Sequence, residues 1–297
     1  MVAFLRLAAA AVGLLPPRAA RRLGRCFGAV AFRLSRRDRR RALENLKTAY
    51  GDGLPEAERR RIARASITNL CGSMFELFSL SWRGPAGVMK LVGPDEDVSA
   101  LEKPIAEGRG VLLFSAHFNN WELMGAYMAA RGLPVKAIGR RLNDRRLDAM
   151  ITRWRSRMGV ETIYQEAGAR PPLRHLREGG LLALLADQDV PRLAGEFVEF
   201  FGREAYTMTG PAALAVTAKA VSVGVFLVRK GDRHRLVCTE AIEPPASGTK
   251  KERVLELTRR YTAEIERIVR VHPEQWAWMH RRWRSKKVDV KPVAGEA

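Results

Sequence analysis

The fold of this chain is most constrained by three short, mostly apolar runs. Each run is followed by a segment with helical spacing or by residues that break regular structure. Residues 110–115, 135–139 and 181–186 are too short for buried helices and are bounded by glycine, proline or acidic residues. Such runs predict strands buried in a sheet. The segments at 121–131 and 145–158 have helical patterns. Alternating strands and helices predict an α/β fold, with a central mixed, mostly parallel sheet flanked by helices.

Further elements are expected on both sides of this region. Residues 221–228 and 234–242 predict a hairpin joined through Gly231-Asp232, and residues 190–209, rich in aromatic residues and glycine, predict a loop. Three more helices follow from apolar spacing, at residues 59–82, 211–219 and 253–271.

Cationic and apolar side chains alternate in the first fifty residues. The chain has 52 Lys+Arg against 32 Asp+Glu, a net charge of +20, and residues 1–50 contribute 12 basic and 2 acidic side chains, half of that excess. The apolar stretch 1–15 is too short to span about 30 Å of hydrocarbon. We therefore predict that residues 1–50 form a helical segment that lies on an anionic membrane surface. An amphipathic helix packed on the domain is the alternative.

Nothing in residues 51–287 divides the chain, so we predict one catalytic-size domain there and a flexible tail at 288–297. The three cysteines lie far apart, with no paired spacing. This pattern argues against a disulfide framework and against a structural zinc site.

One histidine precedes a glutamate where α/β folds place their ligands. His117 follows the first predicted strand directly, and Glu122 comes five residues later, at the start of the next helix. Open α/β sheets bind ligands beyond the carboxyl ends of their strands. If Glu122 accepts a hydrogen bond from one imidazole nitrogen, the other can take a proton from a hydroxyl. The equal alternative is a histidine that caps the helix, with Glu122 favoured by the helix dipole.

The string HFNNWE at 117–122 resembles the HX₄(D/E) box of glycerolipid-type acyltransferases, in the form carried by the bacterial lipid A late (lauroyl/myristoyl) acyltransferases. The similarity covers roughly residues 5–285. Further blocks occur in the family's order, at Asn45-Leu46, 140–148, 153–156, 186–189, 198–202 with 209–212, and 274–282.

This resemblance implies a glycerolipid-acyltransferase-like fold and the transfer of a fatty acyl group from acyl carrier protein, or less readily coenzyme A, to a hydroxyl of a lipid A precursor. In that mechanism His117 is the general base and Glu122 orients it. The expected partners are an anionic membrane surface, acyl carrier protein and the lipid acceptor, with no metal, no cofactor and a monomeric chain at the cytoplasmic face of the inner membrane. Four residues are expected to bind substrate: Asn120, Arg140, Arg155 and Asp187.

Three questions stay open at the level of sequence. The acceptor could be a simpler lysolipid, such as a lysophospholipid or an amino-acid lipid, because the same base serves any hydroxyl. A protein of +20 could also bind nucleic acid, although no recognisable binding motif is present. The tryptophans Trp276, Trp278 and Trp283 fit a membrane interface as well as a core.

Overall fold

The computed structural model describes residues 11–287 of the chain, and three helices come first: α1 (Pro17–Leu34), α2 (Arg36–Tyr50) and α3 (Glu56–Leu80). Two glycines let α1 approach α3 closely. A Cβ atom at Gly24 would lie 2.6 Å from the Cys71 carbonyl oxygen, and one at Gly28 would lie 2.8 Å from the Thr68 Cα. The described part of the N-terminal segment therefore packs on the body of the protein, while residues 1–10 lie outside the described residues.

The sheet region follows. Its helices are α4 (Gly84–Val92), α5 (Ser99–Ala106), α6 (Trp121–Ala130), α7 (Arg145–Arg157), α8 (Arg170–Arg177), α9 (Gly210–Ala218) and α10 (Lys250–Val271). Its strands are β1 (Val111–Ser115), β2 (Val135–Gly139), β3 (Glu161–Tyr164), β4 (Leu181–Leu185), β5 (Gly195–Phe200), β6 (Arg203–Met208), β7 (Val221–Lys230) and β8 (Arg233–Cys238).

The central sheet has six strands in the order β3-β2-β4-β1-β7-β8. The first five strands are parallel, and β8 returns antiparallel along β7. The predicted mixed, mostly parallel sheet is therefore confirmed. Because β1 and β4 are neighbours with Ser115 opposite Leu185, the residues that follow these two strands emerge side by side at one edge.

Helices cover both faces of this sheet. Leu112 and Phe114 of β1 pack into a cluster with residues of α9 and α10, whereas Val111 and Leu113 pack into a second cluster with residues of α4 and α6. Successive side chains of a strand point to opposite faces, so the all-apolar β1 is buried on both. This is why the predicted strand reads as a continuous apolar run.

The loop prediction for residues 190–209 is wrong, because β5 and β6 form an antiparallel hairpin there. The turn residues Phe201 and Gly202 both have positive φ, at 59° and 67°. Two consecutive positive φ angles suit the right-handed twist of a hairpin, but phenylalanine rarely takes the first of these positions. The sequence thus lacked the usual turn signal. The short edge strand β3 and the helices α4, α5 and α8 were also not predicted.

Within residues 11–287, no helix is both long enough and apolar enough to cross a bilayer. The membrane attachment of the N-terminal segment stays a prediction. Trp276 and Trp278 are fully buried in the cluster beneath α10, so their place is the core, and Trp283 is half-buried beside them.

Candidate active site

His117 lies two residues beyond β1, in the turn that leads to α6. Asn119 in this turn has a φ of 46°, which is uncommon outside glycine. The side-chain nitrogen of Asn119 holds it there by donating to the Leu227 carbonyl oxygen at 2.7 Å, and the side-chain oxygen of Asn119 accepts from Ser73 Oγ at 3.1 Å. The turn is therefore fixed from both β7 and α3 before any substrate binds.

The C-terminal segment after α10 crosses this turn. The Ala277 N–H donates to the His117 carbonyl oxygen at 3.0 Å, and the Asn119 N–H donates to the Gln275 carbonyl oxygen at 2.8 Å. Asn45 of α2 donates in turn to the Trp278 carbonyl oxygen at 2.7 Å. Segments more than two hundred residues apart thus hold His117 in one backbone conformation.

The partner of the His117 imidazole is Asp187, the second residue after β4. Its Oδ1 lies 2.8 Å from His117 Nδ1, and its Oδ2 accepts from the His117 backbone N–H at 2.8 Å and from Trp276 Nε1 at 2.7 Å. The Asp187 side chain is fully buried, whereas that of His117 is 20% exposed. The carboxylate therefore fixes both the position and the ring orientation of the histidine.

Two opposing effects act on the pKa of Asp187. Burial by itself raises this pKa, but the neighbouring His117 and His280 together with the hydrogen bonds from His117 outweigh burial and lower it. Asp187 is consequently an ionised carboxylate that can only accept hydrogen bonds. His117 then carries its proton on Nδ1 when it is neutral, which leaves the lone pair of Nε2 for chemistry.

The prediction that Glu122 orients His117 is wrong. Glu122, in the first turn of α6, instead makes a bidentate pair with Arg155 of α7, at 2.8 Å from Nε and 2.5 Å from Nη2. A guanidinium has two parallel N–H groups for a carboxylate, which an imidazole cannot offer. Asp187 occupies the place at Nδ1 because β4 lies next to β1.

Two of the predicted substrate-binding residues have other roles. Asn120 is buried at the N-cap of α6, where its side chain accepts from the Leu123 N–H at 3.2 Å and donates to the Ser73 carbonyl oxygen at 3.3 Å. Asp187 lies behind His117 and does not reach the cavity wall. Neither residue belongs to the cavity lining, and their predicted role in substrate binding stays a prediction.

A cavity of about 850 Å³ opens next to His117. Its walls come from β2, β3, β4 and from α6 to α9, and its lining is mainly apolar. The predicted residues Arg140 and Arg155 lie on this lining, together with His117 and Glu122. Along α9 the lining residues recur from Gly210 to Thr217, so the cavity follows this helix for about 10 Å.

Two residues that sequence reasoning missed complete the site. The side-chain amide of Gln188 lies 3.2 Å from His117 Nε2 and 3.2 Å from Nδ1 of His280. Gln188 directly follows Asp187 at the end of a predicted strand, and this was an available signal. His280 lies in the block 274–282 that contributes to the family resemblance, and the path of the C-terminal segment brings it to the site.

The closest group of possible metal ligands in residues 11–287 is His117, Asp187 and His280, whose nearest ligand atoms all lie within 4.8 Å of one another. Both ring nitrogens of His117 already have hydrogen-bond partners, Asp187 at Nδ1 and Gln188 at Nε2. The absence of a metal stays a prediction. What this arrangement can do without one is remove a proton from a hydroxyl that enters the cavity and reaches Nε2.

Comparison with known proteins adds a family to this geometry. The chain matches the family model described as bacterial lipid A biosynthesis acyltransferase over residues 1–285. Lipid A biosynthesis acyltransferase 1 of Shigella flexneri and the lipid A biosynthesis myristoyltransferase of Escherichia coli (strain K12) are each 27% identical over 280 residues, covering 94% of this chain and 85% of theirs.

A relative whose name specifies a different acceptor also matches. A phosphatidylinositol mannoside acyltransferase of Mycolicibacterium smegmatis is 26% identical over 191 residues, which is 63% of this chain and 61% of its own length. The resemblance carried by residues 117–122 is confirmed by the match along the chain. With a histidine at an apolar cavity and a family model that covers nearly all of its residues, the chain belongs to the bacterial lipid A biosynthesis acyltransferase family.

Proposed function

We propose that this acyltransferase moves a fatty acyl chain from an acyl-carrier-protein thioester to a hydroxyl of a lipid A precursor. The observation that carries the proposal is the His117–Asp187 pair at the mouth of a large apolar cavity. The pair supplies a general base, and the apolar walls suit a hydrocarbon chain. The family to which the chain belongs supports the acceptor class.

His117 begins the reaction as a neutral imidazole. Its Nε2 takes the proton of the acceptor hydroxyl while the oxygen attacks the thioester carbonyl carbon. The carbon–oxygen bond forms, the carbon–sulfur bond breaks, and the proton passes from His117 to the departing thiolate. Asp187 stabilises the transient imidazolium because its buried carboxylate contacts Nδ1.

Arg155 gives the cavity a fixed positive charge. Its side chain is 17% exposed and is held by Glu122, which has the same exposure, so the guanidinium faces the cavity in one orientation. Arg140 lies on the same wall and is exposed. We assign both arginines to anionic groups of the substrates, because guanidinium groups bind phosphate oxygens well.

The surface of α1 supports attachment to a membrane. Leu23, Phe27, Val30 and Leu34 are exposed by 48%, 58%, 52% and 76% and recur at steps of three and four residues, which places them on one stripe of the helix. The glycine face beside this stripe packs on α3. Exposed arginines interleave with the stripe, so α1 fits the boundary of an anionic leaflet at the cytoplasmic face of the inner membrane.

The test is incubation of the purified protein with labelled acyl-carrier-protein thioesters and three acceptors in vesicles: a tetra-acylated lipid A precursor, a phosphatidylinositol mannoside and a lysophospholipid. Mass spectrometry reads the products, and coenzyme A thioesters form a parallel donor arm. We expect one acyl chain to be added to the lipid A precursor, with acyl carrier protein as the better donor.

Each other result has a defined meaning. Acylation of the mannoside alone would move the proposal to the acceptor in the name of the mycobacterial relative. Acylation of the lysophospholipid alone would favour a simpler lysolipid acceptor. Failure with every acceptor and both donors, together with a salt-sensitive shift of DNA in a gel, would replace the enzyme proposal with nucleic-acid binding.

A further inference from the structure

The side-chain amide of Gln188 lies between two imidazole rings. Its nitrogen is 3.2 Å from His117 Nε2 and 3.2 Å from His280 Nδ1, and the two ring centroids are 4.4 Å apart. In the proposed function, His117 Nε2 is the atom that must accept the proton of the acceptor hydroxyl. Gln188 therefore occupies the position that the reacting hydroxyl needs.

The hydrogen atoms at this contact follow from the surrounding groups. Ionised Asp187 accepts from His117 Nδ1–H, so neutral His117 presents a lone pair at Nε2. Burial, together with the nearby His117, lowers the pKa of His280 to about 4, so His280 is neutral at pH 7. An amide NH₂ group has two hydrogens, and it can donate one to each ring when both nitrogens carry lone pairs.

The reverse orientation of the amide requires a different protonation state. If the Gln188 oxygen faced His117, Nε2 would have to carry a hydrogen, and with Nδ1–H already committed to Asp187 the ring would be an imidazolium. The amide nitrogen thus fits the neutral base, and the amide oxygen fits the base after it has taken a proton. A half-turn that brings the oxygen to a protonated His117 also brings it to the lone pair of His280 Nδ1, so the contact with His280 favours the orientation that suits neutral His117.

We propose that Gln188 is a positioning residue that holds the lone pair of His117 in the empty site, anchored by His280, and gives way to the acceptor hydroxyl. This inference rests on the proposed function for its role in turnover. The resting contact itself is a property of the free protein.

His280 is suited to anchor the amide because its environment keeps it neutral. Its Nε2 is buried and has no hydrogen-bond partner among the described residues. The charged groups that act on His280 are His117, Asp187 and Arg41 of α2. The pair Glu122–Arg155 and the cations Arg140, Arg192 and Lys250 lie on the cavity wall and are unchanged in the variants below.

The experiment follows the titration of His117 in the free protein by NMR of ¹³Cε1-labelled histidine. His117→Asn identifies its signal among the five histidines. Gln188→Leu removes the hydrogen bond that favours neutral His117, and we expect the titration midpoint of His117 to rise by about 0.5–1 pH unit. Gln188→Glu places a carboxylate beside Nε2, and we expect a rise of about 1–3 pH units.

The matched control is Gln165→Leu, which removes the same amide from another part of the cavity wall. We expect the midpoint of His117 to stay unchanged in this control. His280→Phe keeps a ring in place and removes the anchor, and we expect a rise smaller than that of Gln188→Leu. This second site keeps the test decisive if a Gln188 variant does not fold.

A midpoint of His117 that is unchanged or lower in the folded Gln188→Leu and His280→Phe variants would overturn the inference. Because the NMR readout needs no substrate, it is independent of whether the proposed acyl transfer occurs. Where transfer is observed, the acidic limb of the pH profile of kcat/KM should move with the NMR midpoint. A loss of kcat without any movement of that limb would show a merely structural role for Gln188.

Discussion

Within residues 11–287 there are two histidine–carboxylate pairs, and one of them lies at a cavity. His117 Nδ1 lies 2.8 Å from Asp187, and His234 Nε2 of β8 lies 3.0 Å from Glu76 of α3. Both carboxylates are buried, and the pKa of each is lowered, because the charged and hydrogen-bonded neighbours outweigh the effect of burial. By distance and charge alone the two pairs are nearly the same.

The two pairs differ in what surrounds the imidazole ring on the side away from the carboxylate. His234 is fully buried, with Asn119 Nδ2 3.1 Å from its Nδ1 and Arg229 Nη2 2.8 Å from its Nε2. Glu76 also binds Arg229 at 2.5 Å, so this cluster is a closed set of internal contacts that joins α3 to the hairpin of β7 and β8. Among the described residues, the hydrogen-bond partner of His117 Nε2 is the side chain of Gln188, on the cavity wall.

A buried histidine–carboxylate pair is thus not in itself a sign of catalysis. What separates the two is a ring nitrogen that a ligand can reach, next to a space large enough for that ligand. The pair at His234 is expected to serve stability and the pair at His117 to serve turnover. The following variants test this division.

The largest effect is expected from His117→Ala. Loss of the general base should lower kcat for acyl transfer by about 10²–10⁴-fold, since this is the usual contribution of such proton transfer. The thermal unfolding midpoint should stay within a few degrees of the wild type. His272→Ala, which removes a histidine outside the cavity lining, is the control. Activity above about a tenth of wild type in His117→Ala would remove His117 from the mechanism.

Asp187→Asn should come next. The amide cannot stabilise the imidazolium and can impose the wrong tautomer on His117, so kcat should fall by about 10²–10³-fold. Enzyme assays across pH, together with urea unfolding, separate this from a loss of stability. A variant that keeps near-normal kcat would show that the 2.8 Å contact at Nδ1 does not assist the base.

Glu76→Gln should show the opposite pattern. It leaves Arg229 as a buried charge without its carboxylate, and removing one partner of such a pair typically costs about 3–5 kcal/mol in the free energy of unfolding. The rate per folded molecule should stay near that of the wild type. The surface control Glu243→Gln, which releases Arg109, should cost less than about 1 kcal/mol by the same urea titration. Equal losses of unfolding free energy in the two variants would contradict the division between a stabilising pair at His234 and a functional pair at His117.

The stability of the fold should depend on pH through His280. Burial lowers its pKa to about 4, whereas the unfolded chain has the ordinary value near 6.5, so the unfolded state binds more protons between these values. The free energy of unfolding should therefore decrease as pH falls from about 6.5 towards 4. The contribution of His280 is on the order of 2 kcal/mol at pH 5. Denaturant titrations of wild type and His280→Phe should show a shallower pH slope in the variant. An identical pH slope in the two proteins would show that His280 does not cause this pH dependence.

The smallest effect is expected from Glu122→Gln. Because Glu122 binds Arg155 and not His117, the variant should raise KM about tenfold by freeing the guanidinium, while the pH profile of kcat keeps its shape. Steady-state kinetics over a range of pH measure both. A shift of the acidic limb would mean that Glu122 acts on His117 after all.

The sheet was largely predictable because its signals are local. The apolar runs of β1 and β4 are buried on both faces, and this burial leaves a direct mark on the sequence. The hairpin of β5 and β6 was missed because its turn places Phe201 at a positive φ, which later packing supports through contacts with Tyr50 and Trp278. Local sequence carries no trace of those contacts.

The residues of the site also divide into those with a local sequence signal and those that long-range contacts place there. His117 and Glu122 were found because they lie between a predicted strand and the helix that follows it, and Arg155 was found through the family resemblance. The partner of His117 was assigned to the nearest carboxylate in sequence, whereas the structure places Asp187 there, 70 residues away. Two parallel strands bring these residues together, and their order in the sheet cannot be read from either strand alone.

By itself, the sequence determined that the chain builds a parallel α/β sheet with a histidine at its carboxyl edge, because strand burial and the residue that follows a strand are local properties. The tertiary structure alone decided which carboxylate orients that histidine, which arginine holds Glu122, and that Gln188 and His280 close the site. The physical reason is that hydrogen bonds of about 3 Å depend on strand order and on the path of the C-terminal segment, and both are set by packing of the whole chain.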